Sequence, residues 1–298
     1  MTTSTAAATI TLPTNLAEYP STLALREGRI TSDLVTLDYQ GPKAASSGFK
    51  DMIRNEKYLA GELAIVTYLQ AKCWDKPWVL LPFAVSGRTQ HHCIGYNREL
   101  GVISPKDIEG RKVGVRSYAQ TTGLWVRGIL KHEYGVDLDK VEWLTVVDGH
   151  LTEYSDPANC TRLPAGSSLA DMMMNGEIAA ALMGNEMPKD DRIATLVPDA
   201  MAEGARWAAR EGYIPINHMF VVHKDHASPE VLREIFRMLK ESREAAPEAV
   251  QAKLPGIGLE ANRKGIQAAI DLALEQKIIP RRLSVDELFA GVPDDLLA

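Results

Sequence analysis

Lys112-Val113-Gly114-Val115-Arg116-Ser117-Tyr118-Ala119-Gln120-Thr121-Thr122 passes from a short apolar strand, through a polar turn, into a helix that the spacing carries to Tyr134. A strand feeding a helix in this way is half of an α/β unit, and the same alternation recurs on both sides. Ile10–Leu12 and Leu34–Leu37 read as strands flanking a helix near Leu16–Arg26. Leu63–Val66 and Trp78–Val85 read as strands after a helix containing Phe49–Arg54, and Cys93–Tyr96 and Val141–Val147 as further strands. A Pro-, Asn-, Asp- and Gly-rich loop covers 148–166; Ser168 then caps a helix that Gly176 stops, and Ile178–Met183 reads as a small-residue strand. A helix over Asp199–Glu211 and the strand His218–His223 follow, and then a helix with Val231, Ile235 and Leu239 at i, i+4, i+8. Strands spaced by helices predict an α/β fold with parallel pairing.

Beyond Pro229 the pattern is helical, over 229–250, 260–277 and 284–290. A helical tail after an α/β body packs back onto the first lobe. The expected arrangement is therefore two-lobed: 1–92 and 218–298 form lobe 1, 93–217 is an inserted lobe 2, and a ligand cleft lies between them.

The totals narrow the function. The chain has 298 residues, 45% hydrophobic and 24% charged, with a net charge of −6 and no Lys/Arg block. That balance argues against nucleic acid or an anionic membrane surface as partner. No run of about 18 apolar residues is present to span a bilayer. Cys73, Cys93 and Cys160 are an odd count without a C-x-x-C pair, which reads as reduced thiols in cytosol. The N-terminal Met-Thr-Thr-Ser-Thr-Ala-Ala-Ala has no basic region or sustained apolar core, so the expected location is cytoplasmic. Self-association as a homo-oligomer stays open.

Two stretches carry chemistry. Ser86-Gly87-Arg88-Thr89-Gln90-His91-His92-Cys93 sets a guanidinium and two imidazoles beside an apolar strand. The turn at Arg116–Thr122 offers hydroxyls and free backbone N–H groups at a helix start, where an anion is favoured. Together they point to a site for a small carboxylate beside a proton donor. Arg88 could clamp a carboxylate bidentately or be a solvated loop charge. His91 and His92 would face opposite sides of a strand, so at most one enters the cleft, and buried structural histidine is the competing reading. Neighbours that diverge, with no third ligand, do not make a metal pair. His218 heads an apolar strand and is either a core histidine or a cleft residue. Thr121 and Thr122 could cap the helix and still leave N–H groups for an anion. Trp125 could be core and Arg127 an ion-pair residue; Glu62 could orient a histidine, act as base or cap a turn. Met172-Met173-Met174 reads as adaptable packing. No P-loop, G-x-S-x-G or H-E-x-x-H motif is present, and no cofactor is implied.

At these residues the chain resembles the 4,5-dihydroxyphthalate decarboxylase family, which shares the type II periplasmic-binding-protein fold. Tyr19-Pro20-Ser21-Thr22 and Ala24–Arg29 are similar to its opening Y-D-R-T…L…G-R, and Phe49-Lys50-Asp51-Met52 and Glu62 with Thr67-Tyr68-Leu69 to its next block. Arg88 and His92 fall on R-x-F-R-H; Gly114-Val115, Tyr118, Thr121, Trp125 and Arg127–Leu130 on G-V-P-E-Y…T…W-x-R-G-I-L. Leu169, Met172, Met173, Gly176–Ile178 and Ala180, then Pro215–His218 and Leu283–Phe289, follow in the family's order. The departures are Ser21, Gln90-His91 and Arg116-Ser117, where the family has Arg, Phe-Arg and Pro-Glu.

The resemblance implies a carboxy-lyase acting without cofactor on a hydroxylated aromatic or related cyclic acid, in aromatic catabolism. Within it, His92 or His218 is the expected acid and Glu62 the orienter. Arg88, His91, Arg116, Tyr118, Thr121, Thr122, Trp125 and Arg127 are the expected substrate residues, with Arg116 altering specificity. A solute-binding protein for a small carboxylate is the alternative, although such receptors need the export signal or anchor that this reading does not find. Another lyase or isomerase on the same fold is the third reading.

Overall fold

In the computed structural model the described residues are 9–297, so the first eight residues of the stretch weighed above as a leader lie outside them. The first sheet begins with β1 (Ile10–Asn15), followed by a single turn of helix, α1 (Leu23–Arg26), and β2 (Val35–Tyr39). Next come α2 (Phe49–Asn55), β3 (Ala60–Ala64), α3 (Ile65–Cys73) and β4 (Trp78–Gly87). β1 pairs in parallel with β2 and β3. At the β1–β3 crossing a Cβ on Gly61 would stand 2.2 Å from the Asn15 carbonyl oxygen, and φ there is +142°, so only glycine fits.

The chain then crosses to a second sheet. It contains β5 (Ile94–Asn97), β6 (Lys112–Val115), α4 (Thr121–Tyr134), β7 (Glu142–Thr145), β8 (Cys160–Arg162) and α5 (Leu169–Met174). β9 (Ala180–Leu182), β10 (Ile193–Thr195) and α6 (Ala200–Glu211) complete it, in the strand order β10-β5-β9-β6-β7-β8. The return strand β11 (Ile216–His223) inserts between β3 and β4, giving β2-β1-β3-β11-β4. The two crossings run side by side: Ile216 pairs with Gly87, and the Arg88 N–H donates to the Pro215 carbonyl at 3.0 Å. This double strand is the hinge of a two-lobed α/β fold.

The tail adds α7 (Pro229–Glu244), α8 (Glu248–Gln251), α9 (Leu259–Glu275) and α10 (Val285–Leu288). α7 buries Val231, Leu232, Ile235, Met238 and Leu239, each worth about 1.5–3 kcal/mol by removal from water. α9 reaches both lobes: it packs in the first core through Ile266, Ala269 and Ile270, and its C-cap Gln276 donates to the Leu124 carbonyl of α4 at 2.9 Å.

Several expectations are corrected. Pairing is mixed, because β11 runs antiparallel to both neighbours in the first sheet and β5 runs antiparallel to both β10 and β9 in the second. Only the last turn of the segment expected as a helix over Leu16–Arg26 is helical; before it Tyr19-Pro20 makes a turn, closed by the Tyr19 N–H on Thr22 Oγ1 at 2.9 Å. The strand expected over Leu63–Val66 ends at Ala64, where α3 begins; Ile65–Ala71 are all buried, so the helix shows no amphipathic period. The loop over 148–166 contains the three-residue edge strand β8, too short to show alternation.

Candidate active site

The cleft between the lobes holds a cavity of about 180 Å³. One wall comes from lobe 1, through Ser46, Ser47, Phe49, Lys50 and Ala64, with Asn217 and His218 on the hinge strand; the other is Arg116, Ser117 and 119–122 with Val147, Asp148 and His150 of lobe 2.

His218 is placed by an irregularity of β11. It pairs with Ala64 on one side and Ser86 on the other, and the register to β4 shifts on both flanks. Such a bulge re-aims a side chain. The imidazole Nδ1 lies 2.6 Å from Oε2 of Glu62 on β3. Glu62 is fully buried, and its carboxylate also accepts the Ala17 N–H at 2.8 Å and the Tyr19 hydroxyl at 3.0 Å. Burial, and then the Glu62 charge, push the Tyr19 hydroxyl pKa up, which keeps it a donor. A carboxylate held by three donors fixes the imidazole with Nδ1 toward it, so Nε2 is the atom left for a ligand. Phe49 meets the His218 ring edge-on at 5.0 Å between centroids.

The second wall favours an anion. The residue before α4 is Gln120, whose side chain makes no cap, so Thr121 and Thr122 are the first helical residues rather than the cap. Among the described residues nothing accepts from the N–H groups of Thr121, Thr122 or Gly123, and the buried Thr121 Oγ1 has no partner. Positive charge surrounds this helix start. Burial, and then Arg54, push the Lys50 pKa down; Arg116 and Arg162 add to the fall, and Asp148 opposes it. Burial, followed by Lys50, Arg116, Arg54 and His218, holds His150 down to about 4, so it is neutral at pH 7. Its Nδ1 lies 2.6 Å from Thr67 Oγ1 across the cleft. The result is a cationic rim over a helix N-terminus in a protein of net charge −6, a setting in which negative charge is favoured.

The structure brings His218, Arg116, Thr121 and Thr122 to one cavity, with Glu62 behind His218. It turns the other expected residues elsewhere. His91–Cys93 form a 3-10 turn rather than a strand, and both imidazoles leave the cleft. His91 is buried edge-on to Trp207 at 5.8 Å, and His92 lines a separate hollow with Met187 and Asp190. Arg88 turns onto Asn185 Oδ1 and the Cys93 sulfur. Trp125 is core, its indole N–H donating to the Ile216 carbonyl at 2.9 Å, which ties α4 to the hinge.

Arg127, on the buried face of α4, lines no part of the cleft cavity, and its guanidinium hydrogen bonds go to a carbonyl and an amide rather than to a carboxylate. It stacks on the Tyr118 ring at 3.9 Å and donates to the Tyr118 carbonyl at 2.6 Å and to Gln276 Oε1 at 2.7 Å. Tyr118 itself is thereby core, and the loop carrying Ser117 and Ala119 into the cleft is held from behind. Gly123 gives the guanidinium room, since a Cβ there would lie 2.9 Å from Nη1.

Sequence reasoning missed Lys50, His150 and Asn217. Phe49-Lys50 stood in a block of the family resemblance and could have been found there; His150 sits in an irregular loop with no local pattern. Among the described residues no three His, Cys, Asp or Glu side chains cluster to hold a metal ion.

The two mixed sheets and the hinge define the periplasmic-binding-protein fold. Solved structures that align over nearly the whole chain share it: the alkanesulfonate-binding protein SsuA from Xanthomonas axonopodis pv. citri bound to MOPS (TM-score 0.55, 12% identity, 95% of this chain and 98% of that one). The periplasmic aliphatic sulphonate binding protein SsuA from Escherichia coli gives 0.56 at 11% identity over 93% and 91% of the two chains. A DSZB mutant in complex with biphenyl-2-sulfinic acid gives 0.57 at 12% over 96% and 97%.

In sequence, the chain is similar to 4,5-dihydroxyphthalate decarboxylase from Comamonas testosteroni, 25% identical over 183 residues, 57% of this chain and 56% of that protein. The decarboxylase of the same name from Pseudomonas putida is 26% identical over 137 residues, 43% of this chain and 53% of that protein. The chain thus spans about half the length of the curated relatives it matches. No family model matches it.

Proposed function

We propose that the protein is a decarboxylase of a hydroxylated aromatic or related cyclic acid, with His218 as the proton donor. The observation that carries this reading is the His218–Glu62 pair at 2.6 Å, aimed into a cationic cleft. The substrate carboxylate lies at the start of α4 near Arg116 and Lys50, and the ring lies against Phe49. Glu62 stabilises the imidazolium and holds its orientation. A ring hydroxyl pushes electron density to the carbon bearing the carboxylate, and His218 Nε2–H protonates that carbon. The C–C bond then breaks, its electron pair returns to the ring, CO2 leaves, and neutral His218 regains a proton from water. Such general acid catalysis contributes about 10²–10⁴-fold. Closure of the lobes strengthens these interactions by excluding water.

Three free cysteines support a reducing, cytoplasmic setting. Among the described residues no helix is long and apolar enough to cross a membrane. The test is CO2 release from a panel of hydroxybenzoates and hydroxyphthalates. Turnover that His218→Gln abolishes supports the reading; folded wild-type protein that binds these acids and releases no CO2 replaces it with a solute-binding role.

A further inference from the structure

The cleft continues past Arg116. A second cavity of about 220 Å³ opens there, walled by Val146, Leu169, Leu182 and Met183, and it shares Arg116, Gln120 and Val147 with the first. Its place in the fold is telling. Arg116 follows β6, Val146 and Val147 follow β7, and Met183 follows β9, so the chamber sits at the carboxyl ends of three parallel strands. That edge is where α/β sheets receive ligands.

The partition between the chambers is firm in its backbone and soft in its side chains. The N–H groups of Val146 and Val147 both donate to the Arg116 carbonyl, at 3.1 and 2.9 Å. Over the mouth the Arg116 guanidinium and the Glu186 carboxylate are 3.8 Å apart, and both are well exposed, so little opposes their parting. Behind the apolar walls lies a small second core rich in methionine, which adapts to an irregular occupant. The first cavity alone, about 180 Å³, falls below the usual range of ligand pockets, about 300–1,000 Å³, and the two together reach it.

We infer that the second chamber is a subsite for an apolar substituent of the substrate, so the preferred acid carries a second ring or a bulky alkyl group on its hydroxylated ring. The inference rests on the cleft being the acid-binding site. The acid group stays at the start of α4, and the substituent passes Gln120 and Val147 into the chamber. Met183 is partly exposed and forms part of the wall, which makes it the residue that sets the depth.

The test is calorimetric binding of salicylate and of the positional isomers of phenylsalicylate to the full chain, alongside CO2 release from each. The expected result is that at least one phenyl isomer binds tenfold or more tightly than salicylate, and that Met183→Phe removes this preference while salicylate affinity stays within about twofold. Met183→Ala, which deepens the chamber, raises the preference at least threefold and serves where the Phe variant does not fold. Equal affinity for all the acids in wild type, or a preference that neither variant moves, overturns the subsite. Preference without CO2 release from these acids or from the hydroxybenzoate and hydroxyphthalate panel leaves the subsite standing and removes the decarboxylase reading; CO2 release without preference does the reverse. If no acid binds, both fall.

Discussion

Replacing His150 with Gln should flatten one part of the protein's stability–pH curve. The imidazole is packed edge-on against Phe49 at 5.7 Å and held at Nδ1 by Thr67, and its pKa is down to about 4. In the unfolded chain a histidine titrates near 6.5. The folded value is the lower one, so on acidification the unfolded state takes up its proton first. Stability is then complete above about pH 6.5, declines toward pH 4, and falls no further below that. A gap of about 2.5 at 1.36 kcal/mol per pH unit sets a ceiling of about 3 kcal/mol. The residue keeps some solvent contact, which brings the expected loss to about 2 kcal/mol.

The measurement is urea unfolding of wild type and His150→Gln at several values between about pH 7.5 and 4.5, comparing the difference between the two so that other groups cancel. Wild type should lose about 2 kcal/mol more than the variant across that window. Parallel curves would refute the claim that His150 is buried neutral. The segment is also docked across the cleft. Arg54 of lobe 1 donates to the His150 and Gly149 carbonyls at 2.7 and 2.8 Å, and Lys76 pairs with Glu153 at 2.5 Å.

Two other outcomes follow from the geometry. His218→Gln should lower kcat by about 10²–10⁴ while changing substrate affinity only a few-fold, because the proton is delivered in the chemical step and the anion is held elsewhere; single-turnover CO2 release against calorimetric binding separates the two. Gly61→Ala should cost about 3 kcal/mol or more, or prevent folding, since its Cβ would meet the Asn15 carbonyl at 2.2 Å at a φ of +142°; thermal unfolding reads this directly.

Much of the architecture was legible in local pattern. The β6–α4 junction, the bounds of α4 at Thr121 and Tyr134, the Ser168 cap and the apolar stripe of α7 each follow from a few neighbouring residues, whose spacing alone sets strand or helix. That Thr121 and Arg116 share one polar turn was legible for the same reason, because a strand end running into a helix start is set by local pattern. The antiparallel insertion of β11 was not legible, nor was α3, whose burial on all sides erases periodicity.

What only the tertiary structure decided is which of the candidate side chains meet. His91 and His92 carry the more conspicuous sequence signal, yet a 3-10 turn points one into the core and the other to a separate hollow. His218 and Glu62, separated by 156 positions, come within 2.6 Å because neighbouring antiparallel strands bring distant residues opposite one another. Residue type and short-range spacing set the elements and their polarity. Pairing across the sheet and the bulge at β11 set the site, because long-range register depends on packing that no local window contains.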